Sequence, residues 1–172
     1  MKLKYIPNIL TITRIILTPF IIYLAYLNNI IGTLLLIFIA SITDMLDGII
    51  ARKYHLTSDL GAKLDAISDK LFAGCLIISL IAKNKLFILC LIGEILILII
   101  NLISYFEKYN PKTIYIGKIK TTVLFITVGF GFINLFFLNV KPIVDTLIIL
   151  CFTLQIISCM FYLKLLIAKL IR

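Results

Sequence analysis

The chain has 172 residues, 62% of them hydrophobic and 15% charged, with 17 Lys and Arg against 8 Asp and Glu for a net charge of +9. So apolar a composition excludes a soluble globule, and so short a chain excludes two domains, which leaves one membrane-embedded domain over 1–172. The cations sit in short loops between apolar runs, where they set orientation and meet anionic lipid, so the charge does not point to nucleic acid.

The N-terminal MKLKYIPNILTITR starts like a signal peptide, but no small-x-small cleavage site follows it, and the first apolar run is expected to stay as a span. About 20 apolar residues cross the hydrocarbon core. Breaks at Asn28-Asn29, Lys53 to Asp59, Lys83 to Lys85, Glu107 to Tyr115 and Asn139 to Asp145 therefore predict helices over 8–27, 30–51, 61–82, 86–106, 118–138 and 144–166. The expected fold is an all-α polytopic integral membrane protein with six transmembrane helices. With both termini cytoplasmic, 14 of the 17 Lys and Arg fall inside and only Lys83, Lys85 and Lys141 outside, as the positive-inside rule requires. Tyr5, Tyr23, Tyr26, Tyr54, Tyr105, Tyr109 and Tyr115 fall near span ends, as an aromatic belt would.

The end of the second segment and the start of the third hold an unusual density of carboxylates. The stretch from Asp44 to Asp69 reads D-x2-D-G-x2-A-R-x8-G-x3-D-x3-D, through Asp44, Asp47, Gly48, Ala51, Arg52, Gly61, Asp65 and Asp69. Acids beside a bilayer cost free energy and are kept for chemistry. Asp44, Asp47, Gly48 and Ala51 share one helical face, and Gly61, Asp65 and Asp69 share one on the next helix. If the two helix ends meet, four carboxylates converge, too many for the nearby Arg52 to neutralise, and divalent cations are the expected remedy. An all-oxygen site suits two ions of Mg²⁺ or Mn²⁺ and points away from zinc. Such ions grip phosphoryl oxygens, and a carboxylate free of metal can take a proton from an attacking hydroxyl, so the pattern suggests phosphoryl-type transfer facing the cytoplasm. The bland alternative is that each acid snorkels and pairs with Lys53, Lys63 or Lys70.

Beyond the acids, Glu94, Asn101 and Ser104 form a polar stripe on the fourth segment, read either as lining a cavity or as bonding to a neighbouring helix. His55 has no second His or nucleophile near it and is left out of the site. Asp59 is expected to cap the third segment. Cys75, Cys90, Cys151 and Cys159 lie in apolar runs without a CxxC and are read as small core-filling groups. A cation transporter is the alternative from a different class, but its path needs polar groups through the full bilayer depth, and the fifth and sixth segments read as nearly featureless.

The eight spaced residues resemble the signature of the CDP-alcohol phosphotransferase (phosphatidyltransferase) family, and the likeness extends along the whole chain. The resemblance implies transfer of a phosphatidyl group from CDP-diacylglycerol to an alcohol with release of CMP, in an integral protein of the cell inner membrane, and a homodimeric assembly like that of relatives. It implies Asp44, Asp47, Asp65 and Asp69 as metal ligands and Asp69 as the catalytic base. It further implies Asp44, Asp47, Gly48, Ala51, Arg52, Gly61 and Asp65 around the CDP and diphosphate. PNILTITR with Arg14, LDAISDK, and GKIKT at Gly117 to Thr121 resemble the branch that uses glycerol 3-phosphate and makes phosphatidylglycerophosphate. In that reading Arg14, Lys112, Lys118 and Lys120 would serve the acceptor. Gly93 and Asn101 stand where that branch usually carries Arg, which keeps a cardiolipin synthase-type transfer to phosphatidylglycerol as the alternative.

Overall fold

The computed structural model describes residues 6–53, 59–106 and 115–170, and every regular element among them is helical. The helices are α1 (Ile6–Tyr26), α2 (Ile30–Lys53), α3 (Asp59–Ile81), α4 (Phe87–Phe106), α5 (Tyr115–Phe136) and α6 (Lys141–Leu170). Each falls on one predicted segment. The main departure is α6, which runs past 144–166 at both ends. Charge was a poor marker of its limits: Pro142 suits a first helical turn, and Lys164 and Lys169 continue the helix while their long stems carry the ammonium groups outward.

Among the described residues, α1, α4, α5 and α6 each hold a stretch long and apolar enough to cross a membrane: Ile9–Tyr26, Phe87–Ser104, Tyr115–Phe136 and Lys141–Lys169. α2 is apolar over Ile30–Leu46 only, and α3 carries Asp59, Lys63, Asp65, Asp69 and Lys70 in its first half. The acidic motif thus shortens the apolar length of the two helices that bear it. Tyr23, Tyr26 and Tyr115 are exposed near helix ends. Tyr5, Tyr54, His55 and Tyr109, and the side chains of Tyr105 and Asp59, lie outside the described residues.

The chain forms two compact units, Met1–Ser79 and Leu80–Arg172. In the first, α1 packs on α2. α1 turns Thr11, Arg14, Thr18, Ile21 and Ala25 inward at steps of three and four, while Ile9, Ile12, Ile16 and Phe20 stay exposed as hydrocarbon would favour. On α2 the buried positions Thr33 and Ala40 are small, which lets the backbones approach. The turn between them is specified locally. Asn28 takes a left-handed φ of 54°, the N–H of Asn29 bonds back to the Leu24 carbonyl, and Asn29 Oδ1 accepts from the Gly32 N–H at 2.9 Å to cap α2.

In the second unit α6 packs against both α4 and α5. Its inward stripe is Val144, Ile148, Cys151, Gln155 and Ser158, again at steps of four and three. Gly131 on α5 makes room for two neighbours, since a Cβ there would stand 2.6 Å from both Leu80 Cδ1 and Phe87 Cζ. All four cysteines are free thiols; Cys90 and Cys151 are fully buried, as core-filling groups would be, whereas Cys75 and Cys159 are only partly buried.

Candidate functional site

Asp65 and Asp69 stand one helical turn apart on α3, so their side chains emerge on the same face, and Asp44 reaches them from α2. One carboxylate oxygen from each lies within 4.8 Å of the other two. Three anions this close repel one another, and the compensation comes from α1. Arg14 Nη2 donates to Asp65 Oδ1 at 3.0 Å, while Nη1 donates to Asp69 Oδ1 and pairs with Asp44 Oδ1. A guanidinium presents its N–H groups as a planar fork, which suits carboxylates spaced by one turn.

Burial gives this cluster a back and a front. The Arg14 side chain is 1% exposed, whereas those of Asp44, Asp65 and Asp69 are 48%, 47% and 55% exposed. The cation is held behind and the acids face outward. Arg14 lies on the buried stripe of α1, and the Thr18 hydroxyl donates to its carbonyl at 2.6 Å, one turn below. Pro19 follows, and its lack of an N–H leaves a gap in the backbone ladder of α1 beside that bond.

A second polar cluster lies inside the other unit. Lys120 is buried, and its ammonium donates to Glu94 Oε1 at 2.5 Å. Gln155 Nε2 donates to the same oxygen at 3.0 Å and to the Cys90 carbonyl at 3.1 Å. Gly93 is the reason the amide fits: a Cβ there would collide with Gln155, at 2.9 Å even from that residue's Cβ. α4 places Glu94 and the Cys90 carbonyl in this cluster, α5 places Lys120 and α6 places Gln155.

The structure therefore brings together Asp44, Asp65 and Asp69 of the predicted site and adds Arg14, which the resemblance had assigned to the acceptor. Gly61 lies in the first turn of α3. α2 includes Asp47, Gly48, Ala51 and Arg52 in its helical span, but their side-chain positions lie outside the described residues, as does all of Lys112. Lys118 is exposed near the start of α5, and Lys120 is occupied by Glu94.

Two expectations change. The three acids are not left without a cation, because a lone Arg on an apolar helix finds its anion inside the protein, and Arg14, expected to serve the acceptor, meets the acids instead. The sixth segment is not featureless either: Gln155 is fully buried and bonds Glu94, which settles the polar stripe of α4, at that residue, as helix–helix bonding.

Comparison with known proteins places these features in context. The family model described as CDP-alcohol phosphatidyltransferase matches residues 4–167. A CDP-diacylglycerol–glycerol-3-phosphate 3-phosphatidyltransferase of Rickettsia felis is 40% identical over 126 residues, covering 69% of each chain. The protein of that name from Rickettsia typhi is 48% identical over 87 residues, and the chain spans about half of that relative, 48% of each. One from Aquifex aeolicus is 30% identical over 143 residues, covering 78% of this chain and 79% of the other.

Proposed function

The chain belongs to the CDP-alcohol phosphatidyltransferase family, and from that premise we propose that it transfers the phosphatidyl group of CDP-diacylglycerol to glycerol 3-phosphate. The products would be phosphatidylglycerophosphate and CMP. The observation that carries this reading is the convergence of the motif residues Asp44, Asp65 and Asp69, with carboxylate oxygens inside 4.8 Å and side chains about half exposed. The relatives from Rickettsia felis and Aquifex aeolicus, matched over more than two thirds of their length, bear the name of that acceptor.

The donor set fits Mg²⁺ or Mn²⁺. It is all oxygen, its spacing suits ligation, and a cation, the guanidinium of Arg14, already stands among these acids. Asp44, Asp65 and Asp69, with Asp47, would hold a pair of such ions, which when bound supply charge neutralisation for the diphosphate. The rest of the chemistry falls to the chain. The acceptor hydroxyl forms a bond to the β-phosphorus, which carries the diacylglycerol, as the bond from that phosphorus to the oxygen of CMP breaks. Asp69, open to the outer side of the cluster, receives the hydroxyl proton. Arg52 would hold the diphosphate with its paired donors, and Gly48, Ala51 and Gly61 would leave room for the nucleotide beside the backbone. For the acceptor's phosphate the reading keeps Lys112 and Lys118 as the cations, since Lys120 already has a carboxylate partner.

The topology that accompanies this reading has six spans in the cell inner membrane, both termini and the aspartates on the cytoplasmic side, and a homodimer by family resemblance. It is supported by the distribution of cations, 14 of 17 on the proposed inner side.

The deciding experiment incubates purified protein with CDP-diacylglycerol, Mg²⁺ and one of glycerol 3-phosphate, phosphatidylglycerol, serine, inositol or inositol phosphate, and identifies the lipid product by mass spectrometry. Phosphatidylglycerophosphate formation, lost in EDTA and restored by Mg²⁺ or Mn²⁺, is expected. Product from phosphatidylglycerol alone would overturn the acceptor, and undiminished turnover in EDTA would overturn the metal chemistry.

A further inference from the structure

Arg14 engages one carboxylate oxygen on each of three acids that could also hold a divalent cation. Its guanidinium meets Oδ1 of Asp44, Oδ1 of Asp65 and Oδ1 of Asp69, the three residues whose ligand atoms gather within 4.8 Å. Without a cation these anions would drive one another apart. With one, they stay in register at the junction of three helices.

We infer that Arg14 is the resident counter-ion of the metal-free site: it holds Asp44, Asp65 and Asp69 in place while no divalent cation is bound, and gives up those oxygens when one enters. The inference rests on reading the cluster as a divalent-metal site, and concerns how that site is kept and loaded. Three features of Arg14 support it. The side chain is 1% exposed, so in the metal-free site the carboxylates rather than water compensate its charge. A guanidinium stays protonated at any physiological pH, so the exchange is cation for cation and needs no proton from the arginine. Finally, the group approaches from the buried side, whereas the acids are half exposed, which leaves the front of the cluster open for an incoming ion.

The consequence is a competition with a measurable sign. A metal ion entering the wild-type site must displace charge-assisted hydrogen bonds, and losing even one such bond is worth about tenfold in an equilibrium. In Arg14→Gln that competitor is gone. Titration of the full-length protein in nanodiscs with Mn²⁺, followed by the loss of the free-ion EPR signal, should give a dissociation constant about tenfold lower for Arg14→Gln than for wild type. Thermal unfolding of the same samples should show Arg14→Gln less stable than wild type in EDTA, with the gap narrowing in saturating Mg²⁺ as the metal takes over the counter-ion role.

An Arg14→Gln affinity for Mn²⁺ equal to or weaker than wild type would overturn the inference while leaving the metal site standing. So would a stability gap of the same size in EDTA and Mg²⁺, which is what a purely structural arginine gives. Absence of Mn²⁺ binding to the wild type would remove the metal reading, and this inference with it. If Arg14→Gln does not fold, Arg14→Lys decides: its single ammonium cannot reproduce the fork, so it should bind Mn²⁺ more tightly than wild type, and equal or weaker binding would overturn the inference.

Discussion

Asp69 sits where two demands meet: it shares the Arg14 guanidinium with Asp44 and Asp65, and it is the proposed acceptor of the substrate proton. Asp69→Asn keeps the shape and a hydrogen-bonding oxygen but removes the basic oxygen. CMP release from CDP-diacylglycerol should fall by about 100-fold or more, the usual scale for a lost general base, with helix content by circular dichroism unchanged. Gly93 poses a different problem at the same scale. Its missing side chain is replaced in space by Gln155, so Gly93→Leu should overpack α4 against α6 and cost about 1–3 kcal/mol in thermal unfolding. Adding Gln155→Ala should return part of that loss, because the two substitutions act on one volume. This also gives a local account of why a large residue is missing at 93: the buried amide already fills the space.

At the scale of elements, α4, α5 and α6 are tied by a buried polar cluster as well as by apolar packing. In a hydrocarbon surround, apolar side chains gain little by leaving lipid for one another, so small residues and polar bonds carry helix association. Lys120→Met would leave the Glu94 carboxylate with the Gln155 amide as its remaining partner in the cluster, at a cost of about 1–3 kcal/mol. Glu94→Gln together with Lys120→Met should cost less than Lys120→Met alone, since no charge is then left without its cation. Thermal unfolding of both variants in detergent micelles measures the difference. The helices themselves were legible because each is a long apolar run closed by polar residues. Their ends were less so, since a charged residue ends an apolar window without ending a helix, as α6 shows by running through Lys164.

For the whole molecule, the proposed orientation makes a prediction independent of chemistry. A fluorescent protein that matures only in the cytoplasm, fused after Arg172, should be bright, and one fused in the turn at Lys83 to Lys85 should be dark. The reverse pattern would invert the topology and place the aspartates on the outer face. The physical basis is the imbalance of 14 cations against 3, which acts during insertion and needs no folded contact.

Composition, periodicity and the spaced acids were enough to determine an all-helical protein, its apolar segments and which acids share a face on each of two successive helices, because each of these depends on neighbours along the chain or on a repeat of fixed pitch. What only the tertiary structure decided was that Asp44 meets Asp65 and Asp69, and which partners those acids and Glu94 find. Arg14 is 51 residues from Asp65, and Gln155 is 61 from Glu94. No local rule links such pairs. A buried charge must find a partner, but which one it finds depends on how helices cross, and that is set by packing after the spans have formed.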